Sequence, residues 1–114
     1  MTLSDFMQQI KTKPEDISFS DTMAIINEYY HYEPCAFKNG ELSNAAGTNE
    51  GSCKILSFAQ LQQLSEQQTL HLFGDYYRLD VLNDPQGTGH QNIRNFMQYG
   101  WQGVCFDMPP LSFR

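Results

Sequence analysis

Basic residues are scarce in this sequence. Only 7 of the 114 residues are Lys or Arg, against 13 Asp or Glu, and the formal net charge at pH 7 is -6. A surface of this charge repels phosphate groups, so we expect no nucleic-acid partner and no attachment to a membrane. No run approaches the ~20 apolar residues that cross a bilayer. We also find no basic segment followed by an apolar run, so we expect no secretory signal.

Cysteine is sparse as well, with Cys35, Cys53 and Cys105 at irregular spacing. An odd count without a Cys-x-x-Cys pair is a poor framework for disulfides or for zinc, and it is typical of a reducing compartment. We therefore expect a cytoplasmic protein and predict no metal site.

What the chain does contain is enough apolar material for one core. Hydrophobic residues make up 40% of the sequence and aromatic residues 13%. A length of 114 residues is the common size of one domain. We expect a single soluble domain over residues 1–114.

Apolar residues recur at helical spacing along most of the chain. The five predicted helices cover about residues 3–10, 18–32, 52–64, 65–81 and 88–99. Ser52 is the predicted N-cap of the third helix, and Ser65 with Gln68 forms a capping box for the fourth. Gly74 lies inside the fourth pattern. Regular structure is expected to end at Pro109-Pro110.

A small β element is also predicted. The dipeptide Asn39-Gly40 is typical of a two-residue hairpin turn, and a loose alternation of apolar residues indicates an extended segment near the C-terminus. We expect a two-stranded element from about 35–43 and 103–107. The fold class is therefore mainly α with four to five short helices, and α+β is the alternative if the two segments pair.

Four motifs resemble one protein family. They are GSCK (51–54), FGDYYR (73–78), HQNIRNFM (90–97) and GW (100–101). Together with their spacing they resemble the HopJ type III effector family over nearly the whole chain. The family is named after a plant-pathogen effector, but its spread to free-living bacteria and algae implies a housekeeping role. The resemblance carries no reaction or cofactor that could be transferred to particular residues.

Polar residues cluster beside predicted helix starts in segments 44–53, 78–80 and 88–95. Helix N-termini gather unpaired N–H donors, which favour anions. We expect these segments to converge in a polar cleft that binds a small anionic ligand or a protein partner. The expected ligand-binding residues are Asn44, Asn49, Glu50, Arg78, Asp80, His90, Asn92 and Arg94. The two arginines could instead pair with nearby aspartates and join two helices.

Three alternatives stay open at this point. Cys53 at a predicted helix start, with His90 as base, is a catalytic arrangement for an enzyme, because the helix dipole lowers a thiol pKa there. His90, Asp80 and Glu50 could instead bind a metal ion. Finally, the protein could be secreted through a type III system and act on a host protein.

Overall fold

Five α-helices and five short strands make up the structure, a computed structural model that describes residues 1–114. The helices are α1 (Leu3–Thr12), α2 (Phe19–Tyr29), α3 (Glu50–Leu61), α4 (Glu66–His71) and α5 (Gln91–Tyr99). The strands are β1 (Tyr30–Tyr32), β2 (Phe37–Asn39), β3 (Leu42–Asn44), β4 (Val104–Phe106) and β5 (Leu111–Phe113). A π-helix (Tyr76–Val81) and two 3₁₀ turns (Pro14–Asp16, Gly100–Gly103) complete the chain. The predicted mainly α class with a small sheet is confirmed.

Strand β2 is the centre of a three-stranded antiparallel sheet with the order β3-β2-β4. Phe37 lies opposite Phe106 of β4 and opposite Asn44 of β3. The predicted pairing of segment 35–43 with segment 103–107 is therefore confirmed, and the predicted hairpin supplies the third strand of the sheet. Stacking of the Phe37 and Phe106 rings, with centroids 5.5 Å apart, stabilises the β2–β4 register.

The core is built from the apolar faces of the predicted helices. Phe6 and Ile10 of α1, Ile26 of α2, Leu56 of α3 and Phe96 of α5 are almost completely buried in it. Because the 3.6-residue period places these side chains on one face of each helix, the helices pack around a single interior. None of the helices combines the length and apolar character that a bilayer crossing requires.

Two predicted ends of regular structure are wrong. The second helix does not continue to about residue 32, because residues 30–32 form β1, just before Pro34 disfavours helical backbone. Regular structure also does not end at Pro109-Pro110, since β5 follows and pairs antiparallel with β1. The rings of Tyr30 and Phe113, 5.4 Å apart and nearly perpendicular, hold this pair together.

The hairpin turn is shifted by one residue from its prediction. The turn residues are Gly40 and Glu41, whereas Asn39 is the last residue of β2 and pairs with Leu42. Gly40 has φ +63°, which glycine adopts at no steric cost. Asn39 is fully buried, so its side chain contributes to the interior and not to the turn.

The fourth helix is shorter than the periodicity predicts. It ends at His71, and Gly74 takes a left-handed backbone conformation with φ +63°. The chain then continues as the π-helix, in which the Leu82 N–H donates to the Tyr77 carbonyl five residues earlier. Gly74 packs on backbone atoms of Ser18 and Phe19, and a Cβ at this position would lie 2.6 Å from the Phe19 nitrogen.

We therefore expect Gly74→Ala to destabilise the fold by at least about 2 kcal/mol, because it adds both a positive-φ strain and a clash with backbone. Chemical denaturation measures the change. Gly89→Ala is the matched control, since a Cβ at Gly89 meets no atom within 4 Å and its backbone carries no positive φ. Equal stability of the two variants would contradict the role assigned to Gly74 at the end of the fourth helix.

Candidate functional site

A cleft of ≈ 520 Å³ lies between the first turns of α3 and α5. One wall is polar and comes from residues at the starts of the two helices: Asn49, Gly51, Ser52, His90, Gln91 and Asn92. The other residues that line the cleft are mainly apolar: Phe19, Leu42, Phe73, Tyr76 and Ile93. The cleft therefore offers hydrogen-bonding groups on one side and aromatic surface on the other.

Helix α3 begins three residues earlier than predicted. Its N-cap is Asn49 and its first helical residue is Glu50, so Ser52 is inside the helix and is not its cap. Asn49 adopts φ 50°, a left-handed conformation that asparagine tolerates better than most residues. Its side chain donates to the Asn44 side chain and makes no capping hydrogen bond to the N–H groups that follow.

The start of α5 has the same construction. His90 occupies the N-cap position with φ 57° and likewise makes no side-chain cap. By contrast, α1, α2 and α4 are capped by Thr2, Ser18 and Ser65. The two helices at the cleft thus begin with backbone N–H groups that have no partner in the chain, those of residues 50–52 and 91–92. The shared arrangement leaves unpaired donors at the polar wall.

No carboxylate lines the cleft, although acidic residues outnumber basic ones 13 to 7 in the chain. Asp80 does not line the cleft, but its carboxylate lies 3.2 Å from Nε2 of His90, which does. The His90 ring also packs against Tyr76, with ring centroids 5.2 Å apart. Tyr76 in turn makes an edge-to-face contact with Phe19 at 5.0 Å. Two neighbours therefore restrain the His90 ring at the edge of the cleft.

A network of asparagines joins the polar wall to the buried residues behind it. Asn92 and Asn44 exchange side-chain hydrogen bonds, with the Asn92 amide donating over 3.0 Å and the Asn44 amide over 3.2 Å. Asn39 donates to both the backbone and the side-chain oxygen of Asn92, at 2.7 and 3.0 Å. Asn49 donates to the Asn44 side chain at 2.7 Å. The network ties α5 and the loop before α3 to the hairpin.

The structure brings five of the predicted ligand-binding residues together. Asn49, His90 and Asn92 line the cleft, while Asn44 and Asp80 support them from behind. The other three predicted residues, Glu50, Arg78 and Arg94, are not among the residues that line the cleft. Sequence reasoning missed the aromatic side of the cleft, although the edge residue Tyr76 lies within the quoted motif FGDYYR.

The two arginines bind backbone carbonyls of their own chain. Arg78 donates to the carbonyls of Pro14, Ile17 and His71 and to His71 Nδ1, and so joins the π-helix to the segment before α2. Arg94 donates to the Asp84 carbonyl at 2.8 Å and to the carbonyl of Gly89. The expected pairing of the two guanidinium groups with aspartate carboxylates is wrong, because carbonyls of nearby turns take their place.

Cys53 lies outside the cleft and is almost completely buried beside Cys35 and Tyr32. Burial and the neighbouring Cys35 raise its pKa to about 12. The predicted lowering of this pKa is therefore wrong, because desolvation outweighs the helix dipole. No hydrogen bond joins Cys53 to His90, whose ring contacts are Asp80 and Tyr76. These observations argue against Cys53 as a nucleophile.

His90, Asp80 and Glu50 do not form a metal site. No group of three or more His, Cys, Asp or Glu side chains is placed to hold a metal ion. Glu50 is exposed and lies near Tyr32, where it contributes to a raised tyrosine pKa behind the larger effects of burial and of Cys53.

The fold and the cleft together define a small, mainly helical domain with an asparagine-supported cleft between two helix starts. The chain belongs to the HopJ type III effector protein family, whose model matches residues 3–111. The resemblance seen in the four sequence motifs is thus confirmed.

A solved structure described as "Crystal structure of unknown function protein VPA0580" is similar to this chain. It has 45% sequence identity and a TM-score of 0.98, and the match covers 100% of this chain and 95% of that chain. The search of curated proteins found no match.

We expect Asn92→Ala to destabilise the fold by about 2–3 kcal/mol, because it removes buried hydrogen bonds to Asn39 and Asn44 and leaves those amides underpaired. Urea unfolding followed by circular dichroism measures the change. Asn95→Ala on the same helix is the control, since Asn95 is only partly buried and the expected cost is about 1 kcal/mol. A loss for Asn92→Ala no larger than that of the control would contradict the role assigned to the network.

Burial, followed by the Arg78 charge, lowers the pKa of His71 in the folded protein. As pH falls below about 6.5 the unfolded chain binds a proton that the folded chain does not yet bind, so stability is lost toward acid pH. His71→Asn retains an acceptor for Arg78 but cannot be protonated. We expect this variant to lose less free energy of unfolding than the wild type between about pH 7.5 and 5.5.

The measurement is guanidinium unfolding at each pH, with His31→Asn as the control. His31 accepts from an arginine in the same way, at 3.1 Å from Arg114, but lies exposed on β1. Parallel pH curves for the wild type and the His71→Asn variant would show that His71 does not carry the effect.

Proposed function

We propose that this protein is a small ligand-binding module whose ligand occupies the cleft between the starts of α3 and α5. The observation that carries the proposal is the composition of the cleft wall: unpaired backbone N–H groups and neutral amides, with no carboxylate, in a chain of net charge -6. Exclusion of acidic groups is what an anionic or strongly hydrogen-bond-accepting ligand requires.

The ligand we propose is a small molecule with an anionic end and an apolar or planar part. The anionic end fits the polar wall, where the first turns of two helices supply N–H donors and positive dipole ends. The apolar part fits against Phe19 and Tyr76, whose rings meet at 5.0 Å and form the opposite side. A cleft of ≈ 520 Å³ is within the range of small-molecule sites.

We also propose that the protein works in the cytoplasm. All three cysteines are free, and Cys35 and Cys53 are buried beside each other as thiols, which fits a reducing compartment. The family description keeps secretion through a type III system, followed by action on a host protein, as the alternative. Export of the protein by a strain that has such a system would favour that alternative over the cytoplasmic role.

Native mass spectrometry of protein purified gently from its own host tests the ligand proposal. We expect a mass above that of the 13.1 kDa chain, and we expect the excess to disappear on denaturation. Ser52→Leu should remove the excess, because the larger side chain occupies the cleft at the polar wall.

Ser43→Leu is the matched control, since Ser43 is an exposed residue of β3 that does not line the cleft. This variant should retain the bound mass. A bare chain mass for the wild type, or equal retention of the excess by both variants, would contradict binding in this cleft.

A further inference from the structure

The imidazole of His90 is held in one orientation at the cleft. A carboxylate can only accept a hydrogen bond, so the 3.2 Å contact of Nε2 with Asp80 places the ring hydrogen on Nε2. Nδ1 then carries the free electron pair, and it has no hydrogen-bond partner in the protein. The Tyr76 ring, packed at 5.2 Å, restrains rotation of the imidazole. A histidine with one nitrogen fixed by a carboxylate and the other free is the arrangement of a general base.

The surroundings of His90 suit a product that carries negative charge. The next two residues, Gln91 and Asn92, also line the cleft, and their backbone N–H groups have no partner in the chain. Donors that are already in place stabilise charge as it develops on a reacting molecule. Since no carboxylate lines the cleft, no anionic side chain there competes for these donors.

We propose that His90 takes a proton from a molecule bound in the cleft and that Asp80 is its positioning residue. This inference rests on the proposed function, because the cleft must hold the reacting molecule. In the step, an O–H bond of the bound molecule or of a water beside it breaks and its electron pair stays on oxygen. The proton forms a new bond to Nδ1, and the Asp80 carboxylate stabilises the imidazolium that results. The site thus differs from the Cys53–His90 pair, since the partner of the histidine is a carboxylate.

Hydrolysis of 4-nitrophenyl acetate tests the step, because the release of 4-nitrophenolate is coloured. In this reaction His90 removes a proton from water while the water oxygen bonds to the acetyl carbon. The ester C–O bond then breaks, its electron pair leaves with nitrophenolate, and acetate is the second product. We expect His90→Gln to lower the rate by about tenfold or more. His31→Gln, which removes an exposed histidine outside the cleft, should leave the rate unchanged.

The positioning role of Asp80 is tested by measuring which tautomer the His90 imidazole adopts. ¹⁵N NMR in alkaline buffer should show His90 of the wild type with hydrogen on Nε2. Asp80→Asn should give a mixture of the two tautomers and lower the hydrolysis rate by about tenfold, and Asp80→Glu should recover part of both. A purely structural role of Asp80 would leave the tautomer of the folded variant unchanged and so overturn the positioning role.

Two outcomes of the hydrolysis assay overturn the proposal. If His90→Gln retains the wild-type rate, the histidine is not a base. If His90→Gln lowers the rate and Ser52→Leu does not, the imidazole acts from the surface and not on a molecule in the cleft. Either result is separate from the native mass measurement, because a bound mass retained by His90→Gln shows that the cleft binds its ligand without this chemistry.

Discussion

The exchange of hydrogen bonds between Asn44 and Asn92 is the constraint on which the rest of the site depends. A buried amide without partners costs on the order of 1–3 kcal/mol, so these side chains fix the distance between the hairpin and α5. Asn39 strengthens the same junction from β2. Because these hydrogen bonds hold α5 against the sheet, they fix the position of His90 and of the helix start relative to the hairpin. The geometry of the cleft thus follows from the need to satisfy polar groups that the core has enclosed.

The second constraint comes from the opposite side of the cleft. Gly74 allows the chain to pack directly on the backbone of Phe19, and the π-helix that follows carries Tyr76 and Asp80 to His90. Arg78, on the same π-helix, binds carbonyls of the segment before α2. This short element therefore places the Tyr76 ring at the cleft and the Asp80 carboxylate against His90, and Arg78 anchors it to the segment before α2. π-Helices are frequent at functional sites, and here the element contributes two neighbours of the candidate base.

Much of this arrangement could be predicted from the sequence, because short-range patterns determine it. The capping box of Ser65 and Gln68 and the apolar stripes of the helices are local signals, and they are confirmed. Segments 35–43 and 103–107 are distant in sequence, but each carries its own local strand or turn signal, and their pairing is confirmed as well. The strand β1 and the break at Gly74 could not be predicted, because they depend on contacts with β5 and with Phe19, which are distant in sequence. The same dependence on contacts that are distant in sequence explains which residues of the site were predicted correctly. Polar residues at helix starts indicated Asn49, His90 and Asn92, whereas the side-chain directions of Arg78 and Cys53 depend on neighbours that only the folded chain supplies.

The dipeptide Asn39-Gly40 has a further consequence for the chemical ageing of the protein. In a flexible chain this sequence deamidates readily, because the glycine nitrogen attacks the asparagine side chain to form a succinimide. In the folded protein the Gly40 N–H donates to the Gly103 carbonyl at 3.0 Å, and the Asn39 amide is bound to Asn92 in the interior. The fold thus holds both reacting groups apart. Unfolded molecules lack this protection, and an aspartate formed there would bring a charge into the asparagine network on refolding, at a high desolvation cost. Deamidation of Asn39 in unfolded molecules would therefore hinder their refolding. The folded state thus also protects the covalent structure of the chain.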